Sequence, residues 1–113
     1  MKHNILITGG FGLLGKPLVL KLINLKHNVF ILEKKNTKRL KFLPKKPKKI
    51  IAGEFTNKNL IAKIIKQNKI DVVFHLGAIT QVLESLKNPY NTYLINIMGT
   101  INFLENIRLI NKK

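Results

Sequence analysis

An α/β fold, a parallel sheet with helices on its faces, is predicted by three features of this chain. Short runs that are apolar at consecutive positions, Ile5-Leu6-Ile7, Val29-Phe30-Ile31-Leu32 and Val72-Val73-Phe74, read as strands buried on both faces. Longer segments with apolar residues at helical spacing alternate with them. Between the first run and the first helical segment lie four glycines, Gly9, Gly10, Gly12 and Gly15. About four strands alternating with helices imply right-handed crossovers, three layers and the strand order 3-2-1-4.

The first strand is expected over about Asn4 to Thr8, and the first helix over about Gly12 to Lys26. Pro17 falls in the opening turns of that helix, where a missing N–H costs little. Leu14, Leu18, Leu22 and Leu25 form its expected buried face. The second strand runs from Asn28 to Glu33. Asn36 to Lys49 is the most basic stretch and carries Pro44 and Pro47. It reads as a solvated loop with a helical turn near Thr37 to Phe42. A third strand, Lys49 to Ala52, leads into Gly53-Glu54-Phe55. Thr56 or Asn57 can cap a helix over about Asn57 to Asn68, with Leu60, Ile61, Ile64 and Ile65 buried.

The fourth strand is Asp71 to His75, followed by Leu76-Gly77-Ala78. His75 is read as a structural hydrogen-bonding residue rather than a catalytic one. Gln81 to Lys87 forms a short helix or turn. Asn88-Pro89 opens a final helix reaching about Asn111. Leu94, Ile97, Met98, Ile101, Leu104 and Ile107 are its expected packed face, with Ile95, Phe103 and Ile110 left partly exposed. The fourth strand is expected as an unprotected apolar edge.

The 113 residues suit one domain over 1–113. There is no cysteine, so neither a disulfide framework nor thiolate chemistry is available. No apolar run approaches the ~20 residues of a membrane span. Lys2 and the apolar residues after it fit a strand and turn better than a signal peptide, and the chain is read as cytoplasmic. The formal net charge is +16, which invites a nucleic-acid reading. Yet the cations are 19 lysines against 2 arginines, beside 16 isoleucines and 13 asparagines. All three abundant types come from A/T-rich codons, and arginine, the residue of forked phosphate recognition, is scarce. The charge is read as composition, not as a binding surface.

Strand, glycine turn and helix together present a helix N-terminus, whose dipole and free N–H groups favour anions, to a phosphate. Glycines allow the pyrophosphate close to the backbone and the helix close to its strand. Glu33 ends the second strand and can hydrogen-bond the hydroxyls of an adenosine ribose. Lys34, Lys35, Lys38 and Arg39 could instead meet a 2′-phosphate. Carboxylate and phosphate repel, so NAD is favoured over NADP. Leu76, Gly77 and Ala78 suit a cofactor passing over the end of the fourth strand.

Thr8-Gly9-Gly10-Phe11-Gly12-Leu13-Leu14-Gly15 resembles the T-G-x-x-G-x-x-G turn of the extended short-chain dehydrogenases/reductases, the NAD-dependent epimerase/dehydratase family that acts mainly on nucleotide sugars. Glu33 matches the acid that ends their second strand. Gly53-Glu54-Phe55 is similar to their Gly-Asp-hydrophobic segment, whose acid and following residue flank the adenine. Asp71 to Ala78 is similar to their D-x-V-x-H-x-A-A. Pro89, then Asn96-Ile97-Met98-Gly99-Thr100 and Leu104, resembles the P…N-x-x-G-T…L of their fourth helix. Glu54 stands where that pattern has Asp, and Gly77-Ala78 where it has Ala-Ala.

The resemblance spans the whole chain and only the N-terminal, dinucleotide-binding portion of the family. It implies a Rossmann-like fold, truncated relative to the family's. It also implies an NAD site at Gly9, Gly10, Phe11, Gly12, Leu13, Leu14, Gly15, Glu33, Glu54, Phe55, Leu76, Gly77 and Ala78. The family moves protons with a Tyr and a Lys four residues later. Here Tyr90 and Tyr93 are followed at that spacing by Leu94 and Ile97. No catalytic residue and no metal ligand is expected, and a nucleotide sugar would bind only with a C-terminal part supplied. The expected function is the NAD(P)-binding portion of a nucleotide-sugar epimerase/dehydratase, self-associating or paired with a complementing chain. A stand-alone, non-catalytic dinucleotide-binding module and a basic nucleic-acid-binding domain are the alternatives.

Overall fold

The computed structural model describes residues 1–34, 43–78 and 82–110. The turn expected near Thr37 to Phe42, the cations Lys35, Lys38 and Arg39, and Gln81 lie outside these residues.

Four parallel strands form one sheet: β1 (Asn4–Thr8), β2 (Asn28–Glu33), β3 (Lys49–Ala52) and β4 (Val72–His75), in the order β3-β2-β1-β4. This is the order expected from the sequence, and it is compatible with right-handed crossovers. Ile7 lies beside Ile31 on one side and Phe74 on the other. Alternate residues of each strand enter opposite cores. Ile5, Ile7, Val29 and Ile31 meet Val19 and Leu22 on one face. Leu6, Phe30 and Leu32 meet Ile61, Ile64, Ile65 and Phe103 on the other. The three layers are therefore α1 (Gly15–Asn24), the sheet, and α2 (Lys58–Gln67) with α5 (Gly99–Ile110). The architecture is Rossmann-like.

The bounds of β1, β2 and β3 match the expectation, and β4 starts one residue later. Helix α1 turns differently from the expected Leu14, Leu18, Leu22 and Leu25 stripe. Its buried residues are Gly15, Val19 and Leu22, while Leu14 and Leu25 are exposed. The physical reason is Gly15: a β-carbon there would overlap the Gly9 carbonyl oxygen. The helix rests directly on the glycine turn through that residue, and this contact fixes its rotation. Lys26, in the left-handed region at φ 69°, ends the helical stretch and donates its N–H to the Ile23 carbonyl.

Helix α2 is capped by Asn57, whose Oδ1 accepts the Leu60 N–H at 3.1 Å. Leu60 packs beside the expected Ile61, Ile64 and Ile65. The final helical stretch is not a single α-helix. After α3 (Val82–Lys87), α4 (Pro89–Tyr93) passes through a π-helical turn, Leu94–Met98, into α5.

The expected packed face of this stretch holds only at Ile107, which packs against the core with Ile110. Ile97, Met98, Ile101 and Leu104 are exposed, and Phe103, expected outside, is 2% exposed. The buried residues of α5 are Gly99, Asn102, Phe103 and Asn106. A β-carbon on Gly99 would overlap the Phe55 ring. Asn102 Nδ2 donates to the Thr56 carbonyl at 2.8 Å, and Asn106 Nδ2 donates to those of Lys58 at 3.1 Å and Asn102 at 2.9 Å. Carbonyls at and just before the start of α2 thus find donors on α5. These bonds turn Asn102 and Asn106 inward and leave Ile101 and Leu104 outside.

Candidate functional site

Polar and apolar lining share a cleft of about 710 Å³ at the C-terminal ends of the strands. This is the end of an open parallel sheet at which ligands bind, and the volume lies within the ~300–1,000 Å³ usual for ligand pockets. Four connections meet there. The glycine turn contributes Gly9, Gly12, Leu13, Leu14 and Gly15. The end of β2 contributes Leu32, Glu33 and Lys34. The segment after β3 contributes Gly53, Glu54, Phe55 and Thr56. The segment after β4 contributes Leu76, Gly77 and Ala78, and Ile95 enters from the π-helical turn.

The sequence-predicted residues therefore converge on one cleft, with two placed elsewhere. Gly10 is buried behind the turn, where a β-carbon would come within 3.0 Å of Ile31. Phe11 packs on the core shared by β1, β2 and α1. Among the lining residues that sequence reasoning did not assign to the site, Gly53 and Thr56 flank predicted positions. Leu32 precedes Glu33 on a strand buried on both faces. Ile95 carries no sequence signal of its own, because the π-helical turn decides where it points.

The turn is held by backbone contacts. Gly9 has φ +70°, a conformation that favours glycine. The Gly12 N–H donates to the Gly9 carbonyl at 3.1 Å. The start of α1 has no side-chain cap and no acidic residue in its first turn. No acidic side chain of its own first turn therefore offsets its positive end, which lies at the cleft.

Across the cleft, Glu33 and Lys34 put both signs of charge in the lining, and Glu33 Oε1 accepts the Lys34 N–H at 3.1 Å. Phe55 packs so closely that a β-carbon on Gly77 would come within 2.8 Å of its ring. Thr8, fully buried, accepts the Gly77 N–H on Oγ1 at 2.9 Å. The same oxygen lies 2.7 Å from Nδ1 of His75. Burial lowers the pKa of that imidazole below the ordinary histidine value. His75 is thus hydrogen-bonded into the structure, as the sequence reading expected.

Tyr90 and Tyr93 are exposed and outside the cleft lining. Among the described residues, no group of three or more His, Cys, Asp or Glu side chains could hold a metal ion. No helix among them is long and apolar enough to cross a membrane. The lining offers backbone N–H groups, one carboxylate on each of two strand-end segments, and apolar walls. That is equipment for holding an extended ligand with phosphate and hydroxyl groups.

A family model described as GDP-mannose 4,6 dehydratase matches residues 6–113. The UDP-glucose 4-epimerase of Haemophilus influenzae is 30% identical over 110 residues, covering 92% of this chain and 32% of that protein. The UDP-glucose 4-epimerase of Lactobacillus helveticus is 32% identical over 109 residues, covering 96% and 33%. A crystal structure of UDP-glucose-4-epimerase from Stenotrophomonas maltophila, with bound NAD and formylated UDP-arabinopyranose, superposes with a TM-score of 0.83. It is 25% identical and covers 94% of this chain and 33% of its own. The chain spans about a third of the length of the curated relatives it matches.

Proposed function

The chain belongs to the GDP-mannose 4,6 dehydratase family, and from that premise we propose that it holds NAD in the cleft, as the dinucleotide-binding portion of a nucleotide-sugar epimerase/dehydratase-like protein. One observation carries the reading. Four connections, each following a strand of the parallel sheet or opening a helix, converge on one cleft at the uncapped start of α1.

The residues fit the cofactor. The Gly9–Gly15 turn at the start of α1 would take the pyrophosphate, with Leu13 and Leu14 beside it. Glu33 would accept from the ribose hydroxyls, which selects NAD over NADP. Glu54 and Phe55 would flank the adenine, and Leu76, Gly77 and Ala78 would form the floor beneath the dinucleotide. When bound, the nicotinamide supplies a hydride acceptor. The chain's own residues bind, orient and shelter it. The Tyr and Lys that move protons in this family have no counterpart at Tyr90 or Tyr93, followed at the family's spacing by Leu94 and Ile97. We assign no turnover to these residues alone.

Isothermal calorimetry tests the assignment. NAD or ADP-ribose is expected to bind more tightly than NADP. Glu33→Ala removes a charged hydrogen-bond acceptor, costs about 1.5–3 kcal/mol of NAD affinity and narrows the preference. Tighter NADP binding by the unaltered protein would move the site's specificity to Lys34 and the cations after it.

A second surface belongs to the same proposal. Ile97, Met98, Ile101 and Leu104 make an exposed apolar stripe on the final helical stretch, and β4 is an edge strand of the sheet. A second copy or a complementing chain is proposed to cover this surface, on the scale of ~800 Å² per partner. The +16 charge opposes self-association until salt screens it. Sedimentation should therefore show mass rising with ionic strength. A single monomeric species at every salt level would oppose the proposal.

A further inference from the structure

The hydrogen bonds behind the cleft wall give His75 a task that NAD binding alone does not require. Its ring stands 4.7 Å from Phe55, edge to face, and 4.8 Å from Phe103. Thr8 Oγ1 accepts the Gly77 N–H and lies 2.7 Å from His75 Nδ1. Thr8 is 0% exposed, and a hydroxyl carries one hydrogen. The Gly77 amide is itself a donor, and Nδ1 of a neutral ring protonated on Nε2 is an acceptor within reach of that hydrogen. The neutral imidazole is the form this arrangement accommodates.

The linkage reaches the phosphate turn. Gly9 sits against the Leu76–Gly77 peptide so closely that a β-carbon on it would come within 2.9 Å of the Gly77 nitrogen and of the Leu76 carbonyl carbon. Two lining segments, the turn after β1 and the segment after β4, are thus pressed together through Thr8. A proton on Nδ1 changes this. Oγ1 would then face two N–H donors while its own hydrogen lost its acceptor in a buried site, an arrangement that costs free energy.

We propose that His75 is a positioning residue whose neutral ring, acting through Thr8, holds the Leu76–Gly77 wall against the Gly9 turn, so that protonation loosens the wall and weakens dinucleotide binding. The ligand in this statement rests on the NAD reading above; the linkage itself does not. Among the described residues, Thr8 from β1, Phe55 from the connection after β3 and Phe103 from α5 face the ring, and none of them is charged. Burial alone lowers the pKa of His75. The sign follows: the folded state binds this proton less well than the unfolded chain. The stabilisation is complete above the ordinary histidine pKa and is lost as pH falls below it toward the depressed value.

Two measurements on the full chain test the proposal, NAD calorimetry between pH 8 and pH 5.5, and NMR of the ligand-free protein over the same range. NAD binding is expected to weaken roughly three- to tenfold as His75 titrates. The Gly77 amide resonance should move with the same midpoint as the His75 ring. His75→Asn, which can still accept from the Thr8 hydroxyl and does not titrate, should flatten both profiles. Thr8→Val should uncouple the Gly77 amide from the ring and provides an independent arm. A Gly77 amide that stays still while the ring titrates would overturn the proposal, as would a His75→Asn profile that falls like that of the unaltered protein. An amide that follows the ring in a protein binding NAD at no pH would support the linkage and overturn the NAD reading instead.

Discussion

The two ends of the sheet are finished in opposite ways. At the N-terminal end, polar side chains tie the strands to one another. Asp71 Oδ1 lies 3.0 Å from His3 Nδ1, and Asp71 Oδ2 accepts the Asn4 N–H at 3.2 Å. Asn28 Nδ2 donates to Asn4 Oδ1 at 2.8 Å, Asn4 Nδ2 donates to the Lys69 carbonyl, and the His3 N–H donates to His27 Nδ1. His3, Asn4, Asn28 and Asp71 thus find their partners within the protein. At the C-terminal end, glycines and backbone meet an open cleft, and side-chain bonding converges on Thr8 behind its wall. In a parallel sheet the connections leave the strands at that end, so helix starts and turn N–H groups gather there. One end is tied together by side-chain hydrogen bonds, and the other is an open cleft lined by glycines and backbone.

The largest effect should come from paired substitutions within the turn. In Gly15→Val the added carbon overlaps the Gly9 carbonyl oxygen, and backbone cannot give way as a flexible side chain can. A loss on the order of 4 kcal/mol or more is expected, a large share of the ~5–15 kcal/mol typical of a domain. Circular dichroism should show an unfolded or barely folded chain. In Gly12→Val the β-carbon meets only the Gly9 oxygen at 3.3 Å. The fold should survive while NAD affinity falls at least about a hundredfold, roughly 2.8 kcal/mol. A folded Gly12→Val protein with unchanged affinity would break the contrast, because this glycine would then serve the fold alone.

At the other end the expectation is small and confined to stability. Asp71→Ala removes the partner of His3 and of the Asn4 N–H. The pair is partly solvated, so about 1 kcal/mol of stability is at stake, read as an earlier midpoint in urea. NAD affinity should stay within about twofold, because distant sites act nearly independently. A large drop in affinity would mean that the two ends are coupled through β1 and β4, and would sharpen the comparison into a mechanical one.

How legible this was in the amino-acid sequence differs by element. The strand bounds of β1, β2 and β3 were readable because strands buried on both faces appear as continuous apolar runs, and no register has to be guessed. The glycine turn and Glu33 were readable because spacing along the chain places them beside a helix start. The rotation of α1 and α5 was not. Hydropathy favoured the leucines of α1 and the isoleucines of α5, yet Val19 and Phe103 took the core. Asn102 and Asn106 are polar in any pattern count and still buried, because carbonyls of the neighbouring segment needed donors.

By itself the sequence determined the alternation of strands and helices, the strand order and the place of the glycine turn, since these depend on local pattern and chain connectivity. The tertiary structure alone decided which helix faces point inward, that Ile95 reaches the cleft, and that Thr8 links His75 to Gly77. Each of those depends on contacts between residues far apart in the chain, where a β-carbon too many or a carbonyl without a donor outweighs local hydrophobic preference.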